Sequence, residues 1–417
     1  MRRYLDWLYP GIGLKRWVFV AALGVVLLSY TVFVAVGVAF SDRLLGALGL
    51  EFLTERRLAG AVLVLDGLVV GALLLAVGLR KLWRFQRTNP ETASEMRPAA
   101  RLARGPRVTA VGGGTGLSAL LGGLKHHSSN LTAIVTMADD GGSSGLLRRH
   151  MGMPPPGDIR NCLVALADDE SLMSRLFQYR FPDGGGLEGH SFGNLFVAAL
   201  AEVTGDFETA VRESTRVLKV RGRVIPSTLE DVVLHAQLED GARVSGESEI
   251  TAAERLPLRV WLEPDRVDAL PEAIAALDQA DLVVLGPGSL YTSIMPNLLI
   301  AEVREALERT RAWVVYVCNI MTQPGETDGY TTADHLDALY RHGVAGMVDA
   351  VLVNDTPVSG ALAASYEAEG AIPVRVDEER LRALGIKVVH ADVAATGGGV
   401  VRHDPGRLAE ALLGLLR

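Results

Sequence analysis

Runs of glycine, serine and aspartate at the ends of short apolar segments are the part of this sequence best suited to chemistry. Such runs follow five segments, at residues 108–111, 131–137, 282–285, 313–318 and 351–353. In an open parallel sheet these loops all emerge at the carboxyl ends of the strands, where ligands bind at the point of reversed strand order. We therefore expect one crevice to collect most of these polar loops.

The first loop is made almost entirely of glycine: Gly112, Gly113, Gly114, Thr115 and Gly116. Glycine lets the backbone come close to a phosphate, and free amides at the start of a helix attract an anion. The third glycine of the dinucleotide fingerprint is replaced by leucine, and no P-loop lysine follows. The loop predicts a nucleotide or phosphate site without saying which, and the alternative is a tight turn that binds nothing.

A second corner of the same kind contains Gly286, Gly288 and Ser289. Two such corners suit a ligand with two phosphates, or with a phosphate and a sugar. The loop from Asn319 to Thr327, which includes Thr322, supplies amide, hydroxyl and carboxylate groups that fit base or sugar recognition. Arg402 can reach a phosphate, with an ordinary surface arginine as the alternative.

Asp139 and Asp140 end the second apolar segment and are candidate metal ligands. Carboxylates there can accept hydrogen bonds from sugar hydroxyls or hold Mg²⁺ against a diphosphate. A histidine can act as an acid or base near neutral pH, and His190 joins Asp139 and Asp140 as the candidate catalytic groups. The alternatives are turn-forming aspartates and a structural histidine.

A further helix start includes Asp158, the expected cap, and Arg160, which we expect to be free to meet a phosphate. Capping alone is the alternative. No metalloprotease, serine-hydrolase, C-x-x-C or kinase motif occurs, so those classes lose their usual support. The only cysteines, Cys162 and Cys318, imply neither a disulfide framework nor a Cys-rich metal site.

The alternation of strands and amphipathic helices predicts an α/β fold with a Rossmann-like, doubly wound, mainly parallel sheet over residues 107–417. Residues 223–262 have a different texture and predict a small antiparallel insertion. Residues 108–417 carry a net charge of −16, and residues 1–107 carry +8. The acidic balance argues against a nucleic-acid partner.

Two hydrophobic spans, residues 17–40 and 58–79, each have the about 20 apolar residues that a bilayer crossing needs. They predict a transmembrane hairpin within residues 1–87, followed by a basic linker at 88–106. Lys and Arg flank the pair on its outer sides, which places both termini and the large domain in the cytoplasm. Asp66 lies inside the second span and is either functional or a helix-pairing or water-facing group.

Several motifs in order resemble the YvcK family: VGGGTGLSALLGGLK, TAIVTMADDGGSSG, GDIRNCLVALAD, GHSFGNL, GPGSLYTSIMPNLL and VCNIMTQPGET. YvcK proteins are gluconeogenesis factors related to CofD, the 2-phospho-L-lactate transferase. The resemblance runs from residue 108 to the C-terminus and implies binding of a UDP-sugar such as UDP-N-acetylglucosamine. It also implies a role in cell shape and envelope synthesis during gluconeogenic growth.

Carried onto this chain, the ligand loops of the family fall on residues 112–116, Asp139, Asp140, Asn194, 286–289, Asn319, Thr322 and Arg402. Three hypotheses follow. The first is a regulatory protein at the inner membrane, a homo-oligomer whose UDP-sugar site serves envelope-synthesis proteins. The second is a CofD-like, Mg²⁺-dependent transferase. The third, a nicotinamide oxidoreductase, lacks the third glycine and an evident hydride-transfer site.

Overall fold

The computed structural model describes residues 15–47, 57–88, 101–167, 172–182, 184, 186–358, 360–397 and 399–416. The chain divides into two compact units, one up to Arg101 and one from Leu102. The basic residues Arg2, Arg3 and Arg56 and positions 89–100 of the predicted linker lie outside the described residues.

The first unit consists of two long helices, α1 (Lys15–Ala47) and α2 (Arg57–Thr88). Each contains a stretch of 22 residues, Arg16–Gly37 and Val62–Trp83, with a mean hydropathy of 2.5 and 2.6. By length and composition both stretches are sufficient to cross a membrane.

Glycines bring these two helices together. A Cβ atom on Gly24 would lie 2.7 Å from the backbone nitrogen of Leu75, and one on Gly67 would lie 2.5 Å from Oγ1 of Thr31. Small residues at such positions let two apolar helices approach closely. Asp66 is exposed in this pair and therefore is not part of the helix contact.

Seven parallel strands form the main sheet of the second unit, in the order β10-β9-β8-β7-β1-β2-β3. This confirms the predicted Rossmann-like sheet. The strands of the unit are β1 (Val108–Gly112), β2 (Leu131–Val135), β3 (Arg223–Pro226), β4 (Val233–Leu238), β5 (Arg243–Ser245), β6 (Pro257–Glu263), β7 (Leu282–Leu285), β8 (Trp313–Val317), β9 (Ala350–Asn354), β10 (Lys387–Ala391), β11 (Ala394–Gly397) and β12 (Val400–His403).

Helices cover both faces of this sheet. In chain order they are α3 (Gly114–Leu124), α4 (Gly142–Met151), α5 (Gly157–Leu166), α6 (Leu172–Gln178), α7 (Phe192–Thr204), α8 (Phe207–Val217), α9 (Glu247–Ala252), α10 (Pro271–Asp278), α11 (Met295–Leu298), α12 (Ala301–Arg309), α13 (Thr332–Leu339), α14 (Gly360–Ala368), α15 (Glu378–Ala383) and α16 (Pro405–Gly414). Two π-helical turns, Leu290–Ile294 and Tyr340–Val344, lie among these helices.

The strand order reverses at β1, which lies between β2 and β7. The loops after β1 and β7 therefore meet at the predicted switch point. The backbone N–H of Gly286 donates to the carbonyl of Val111 at 2.8 Å. A Cβ atom on Gly112 would lie 3.7 Å from the Cα atom of Gly286, so the two strand ends are nearly in contact.

The prediction of an antiparallel insertion is right in type and wrong at its start. Strands β4, β5 and β6 form the antiparallel sheet, in the order β5-β4-β6. Residues 223–226, assigned to the insertion from the sequence, are instead β3, the parallel edge strand of the main sheet. A short apolar run carries no periodicity that assigns it to one sheet or the other.

The sequence analysis missed β10 and the β11–β12 hairpin. The hairpin is antiparallel and pairs Ala395 with Arg402. Its residues alternate only weakly between apolar and polar types, so they give little strand signal. The hairpin still matters for function because it carries Arg402.

Candidate functional site

A cavity of about 670 Å³ lies at the carboxyl ends of β1, β7 and β8, and we call it the crevice. Its volume is within the range of roughly 300–1,000 Å³ that is usual for small-molecule sites. It brings together most of the residues predicted from the strand-end loops: Gly113, Gly114, Thr115, Gly116, Gly288, Ser289, Asn319, Thr322 and Arg402. Gly112 and Gly286 join the two strand ends beside it.

Close approach explains the glycines of the first corner. A Cβ atom on Gly113 would lie 2.5 Å from Oδ2 of Asp158, and one on Gly116 would lie 2.5 Å from the carbonyl oxygen of Pro287. Gly114 also has a positive φ of 66°. Neither contact leaves room for a side chain, so the corner depends on glycine at both positions.

Asp158 does not cap its own helix, contrary to the sequence prediction. Its Oδ2 accepts a hydrogen bond of 2.7 Å from the backbone N–H of Gly114, and residue 156 occupies the N-cap position of α5. Burial, followed by repulsion from Asp139, raises the pKa of Asp158 to about 6. The contact joins two loops 44 residues apart, and local sequence patterns do not reveal such pairs.

The second corner is also bound by a carboxylate. Oε1 of the buried Glu326 accepts hydrogen bonds from the backbone N–H groups of Tyr291, at 2.8 Å, and Thr292, at 3.2 Å. Burial raises the pKa of Glu326 to about 7, although these bonds favour its charged form. Each glycine corner thus has one acidic side chain on backbone amides at or beside it.

A chain of side-chain hydrogen bonds orients Asn319. Nε2 of Gln323 donates to Oγ of Ser289 at 2.8 Å, and Nδ2 of Asn319 donates to Oε1 of Gln323 at 2.9 Å. The amide oxygen of Asn319 is thereby left as the acceptor. Thr322 is tied to the backbone instead: its Oγ1 accepts from the N–H of Ile372 at 2.9 Å.

The β11–β12 hairpin supplies Arg402 and His403 to the wall of the crevice. Arg402 is exposed, so its guanidinium is available to an anion in the crevice. Burial lowers the pKa of His403 to about 4, against the effect of a hydrogen bond to the backbone of Cys318. His403 is therefore neutral at physiological pH and leaves Arg402 as the cation on this hairpin.

The two aspartates after β2 accept hydrogen bonds from different segments of the chain. Oδ1 of Asp139 accepts from the backbone N–H of Gly141 at 2.9 Å, and burial raises its pKa. Oδ1 of Asp140 accepts from the backbone N–H of Ser248, on the antiparallel insertion, at 2.9 Å. Asp140 thus fastens the insertion to the main sheet, whereas Asp139 stays in its own loop.

His190 and Asn194 converge on Ser143, a residue that the sequence analysis did not select. Oγ of Ser143 lies 2.9 Å from Nδ1 of His190 and accepts a hydrogen bond of 3.1 Å from Nδ2 of Asn194. Ser143 and His190 have the residue types of a nucleophile and base pair, and the tautomer of His190 decides which of the two donates. The doubled serine after Asp139 and Asp140 was the available signal.

Arg160 is packed rather than free. It is buried, its Nη2 donates to Oδ1 of Asn161 at 2.7 Å, and its aliphatic carbons lie against Gly193. Burial lowers its pKa. The positions of Ser143, His190, Asn194 and Arg160 are outside the wall of the crevice.

Glu247, also missed by the sequence analysis, links this neighbouring cluster to the crevice. It opens α9 of the insertion and lines the crevice. Burial, and then repulsion from Asp139, Asp158 and other carboxylates, raises its pKa to about 9. Glu247 is therefore protonated near neutral pH and is a hydrogen-bond donor there.

The arrangement of the acidic side chains is relevant to the Mg²⁺ site that the sequence predicts. Among the residues that the structure describes, no group of three or more His, Cys, Asp or Glu side chains is arranged to hold a metal ion. Mg²⁺ commonly uses one or two carboxylates and completes its shell with substrate phosphates and water. Asp139 fits that pattern as a single carboxylate, whereas Glu247 is protonated near neutral pH and does not.

Comparison with known proteins identifies the family to which the chain belongs. Residues 108–394 match the family described as 2-phospho-L-lactate transferase CofD. A gluconeogenesis factor of Bacillus subtilis is 50% identical over 312 residues, covering 75% of this chain and 98% of that protein. A relative from Nostoc sp. is 45% identical over 428 residues, covering 99% of this chain and 92% of its own.

A crystal structure of a Bacillus halodurans protein is similar to this fold, with a TM-score of 0.72 and 48% identity. It covers 74% of this chain and 100% of the solved chain. That share corresponds in length to the second unit, from Leu102 onward. A relative of about this length therefore folds as a chain of its own.

Proposed function

Because the chain belongs to the CofD family, among its gluconeogenesis factors, we propose that it is a membrane-tethered regulatory protein that binds a UDP-sugar. In this proposal the second unit is cytoplasmic and reports the supply of a cell-envelope precursor, such as UDP-N-acetylglucosamine, to proteins that build the envelope. Its action maintains cell shape during growth on gluconeogenic carbon.

The observation that carries the proposal is the meeting of two glycine corners in one crevice with Arg402 on its wall. Two corners suit the two phosphates of a nucleotide sugar, and an arginine complements their charge. The amide of Asn319 and the hydroxyl of Ser289 supply acceptor and donor groups of the kind that sugar or base recognition requires.

The N-terminal helices support the tether. Both have the length and apolar composition of a membrane span. Arg16, Arg80 and Lys81 lie at the ends of these helices that are distant from the connecting loop, as the positive-inside rule expects for a hairpin with cytoplasmic termini. A tether of this kind raises the effective concentration of the domain for partners at the membrane.

Titration of residues 102–417 with UDP-N-acetylglucosamine by calorimetry, with and without Mg²⁺, tests the binding proposal. We expect saturable binding that Arg402→Gln weakens by more than about tenfold, or about 1.4 kcal/mol. Arg382→Gln is the control, since Arg382 is an exposed arginine outside the crevice. If no UDP-sugar binds saturably, the proposal is wrong.

A CofD-like, Mg²⁺-dependent transferase is the second candidate, supported by the family match and by the carboxylate of Asp139, the candidate Mg²⁺ ligand after β2. In that reaction Mg²⁺ would offset negative charge on the transferred phosphoryl group. Mass spectrometry of the titrated samples decides: product that disappears in Asp139→Asn supports transfer, whereas binding without turnover supports the regulatory function.

A further inference from the structure

A second cavity, of about 520 Å³, opens beside β3, the edge strand of the main sheet, and we call it the edge groove. It lies between α8, the edge strand β3 and the start of α10. It shares no lining residue with the crevice. A ligand of the edge groove would therefore contact none of the residues that line the proposed UDP-sugar site.

The floor of the edge groove is apolar. Val211 of α8, Val224 and Ile225 of β3 and Leu270 before α10 line it, and each is at most 7% exposed. Burial of further apolar surface against such a floor stabilises a complex by about 25 cal/mol for each Å² removed from water. The floor therefore suits an extended hydrocarbon group.

The rim has the opposite character. Four basic side chains, against two acidic ones, border the groove: Arg212, Arg216, Lys219 and Arg223, with Glu208 and Glu272. The ion pairs that Arg212 and Arg216 make on α8 are largely exposed. Such pairs hold their partners weakly, so the rim presents net positive charge to an entering anion.

Lys219 has an unusual backbone for its residue type. Its φ is +51°, and it follows α8 at the position where helices usually end with glycine. The N–H of Lys219 donates to the carbonyl of Arg216 at 3.3 Å, and that of Val220 donates to the carbonyl of Thr215 at 3.0 Å. A lysine in this backbone conformation is strained, whereas a glycine would not be. The side chain of Lys219 lines the edge groove.

We propose that the edge groove binds an amphiphile with one acyl chain and an anionic head, with the chain on the apolar floor and the head at Lys219. A peptide strand added to β3 is the competing occupant. The observations favour the amphiphile because β3 has only four residues and ends in Pro226, which has no N–H to donate. The groove is also concave, as small-molecule sites are.

The test is a fluorescence titration of residues 102–417 with cis-parinaric acid, whose emission rises in an apolar site. The expected result is a saturable rise that palmitate and lysophosphatidate both reverse, whereas the methyl ester of the probe binds at least about tenfold more weakly. Reversal by only one of the two competitors identifies the head group as carboxylate or phosphate. Equal binding of acid and ester overturns the proposal, as does the absence of saturation.

Lys219→Gly and Lys219→Arg form a matched pair. The glycine variant relieves the backbone strain and keeps the fold, so its expected loss of probe affinity, about tenfold or more, reports the missing charge. The arginine variant keeps the charge and is expected to bind within about threefold of the wild type. Unchanged affinity in the glycine variant overturns the proposal, and UDP-N-acetylglucosamine binding serves as a separate control in both.

Discussion

The crevice and the edge groove are bounded by the same sheet, yet they differ in the kind of surface they expose and in the sign of their charged groups. In the crevice the backbone is exposed at glycine corners, and the charged groups that face it are mainly carboxylates, among them the half-buried Glu247 and the buried Glu326. In the edge groove the floor is apolar side chains and the charged groups are mainly exposed cations. The ends of parallel strands present backbone amides, whereas the side of an edge strand presents apolar side chains.

We expect that no side chain can replace the hydrogen of Gly116 in the first glycine corner. In Gly116→Ala the new Cβ atom meets the carbonyl oxygen of Pro287 at 2.5 Å, so we expect a loss of about 1–3 kcal/mol in stability. UDP-N-acetylglucosamine affinity should fall more than about tenfold. Calorimetry and urea unfolding measure both effects.

Gly122→Ala is the matched control because it lies on the same helix, α3, with open space around its Cβ position. It should bind like the wild type and gain roughly 0.5–1 kcal/mol from alanine in a helix interior. Equal behaviour of the two variants would show that the first corner is not a tight contact.

Removing the buried carboxylate of the second corner should be the next largest effect. Glu326→Ala leaves two buried backbone N–H groups without their acceptor, which costs about 1–3 kcal/mol for each unsatisfied group. Glu326→Gln keeps an acceptor oxygen and should recover most of the loss in urea unfolding. If both variants unfold alike, charge rather than hydrogen bonding accounts for the role of Glu326.

The raised pKa of Glu247 gives the crevice a pH dependence of definite sign. The folded state keeps a proton that the unfolded state loses, so the free energy of unfolding falls as the pH rises from about 4.5 to about 9. Affinity for a diphosphate without Mg²⁺ should fall only as the pH approaches and passes about 9, where Glu247 loses its proton in the folded protein.

Glu247→Gln should reduce both slopes and raise the free energy of unfolding at pH 9 by about 1 kcal/mol or more. Glu249→Gln, at an exposed position on the same helix, is the control and should follow the wild-type profile. A profile of Glu247→Gln identical to that of the wild type contradicts the assignment.

The smallest effect is expected in the edge groove. Glu208 is on the rim and pairs with Arg212 at 3.4 Å with substantial exposure of both side chains. Glu208→Gln should change the free energy of unfolding by less than about 0.5 kcal/mol. It should also strengthen cis-parinaric acid binding slightly, since it removes a negative charge beside the site. A cost as large as that of Glu326→Ala would remove the contrast between the two cavities.

Local sequence patterns were sufficient for five adjacent strands of the main sheet, β9, β8, β7, β1 and β2, and for most of the crevice wall. Glycine-rich loops after apolar runs located both corners because parallel strands place all such loops at one edge. The same patterns gave no information on the partner of Asp158, which is 44 residues away, or on the role of Glu247. Contacts between distant segments decide burial and pKa, and short windows of sequence contain neither.

The wall of the crevice begins at Gly113 and ends at His403, so nearly the whole second unit must be synthesised before the site is complete. At translation rates of about 5–20 residues per second, the first glycine corner waits many seconds for the β11–β12 hairpin. If a nucleotide sugar binds as we propose, it cannot assist the early folding of the nascent chain through the full site. Its stabilising effect would begin only as the C-terminal residues leave the ribosome, so binding would report that the chain is complete.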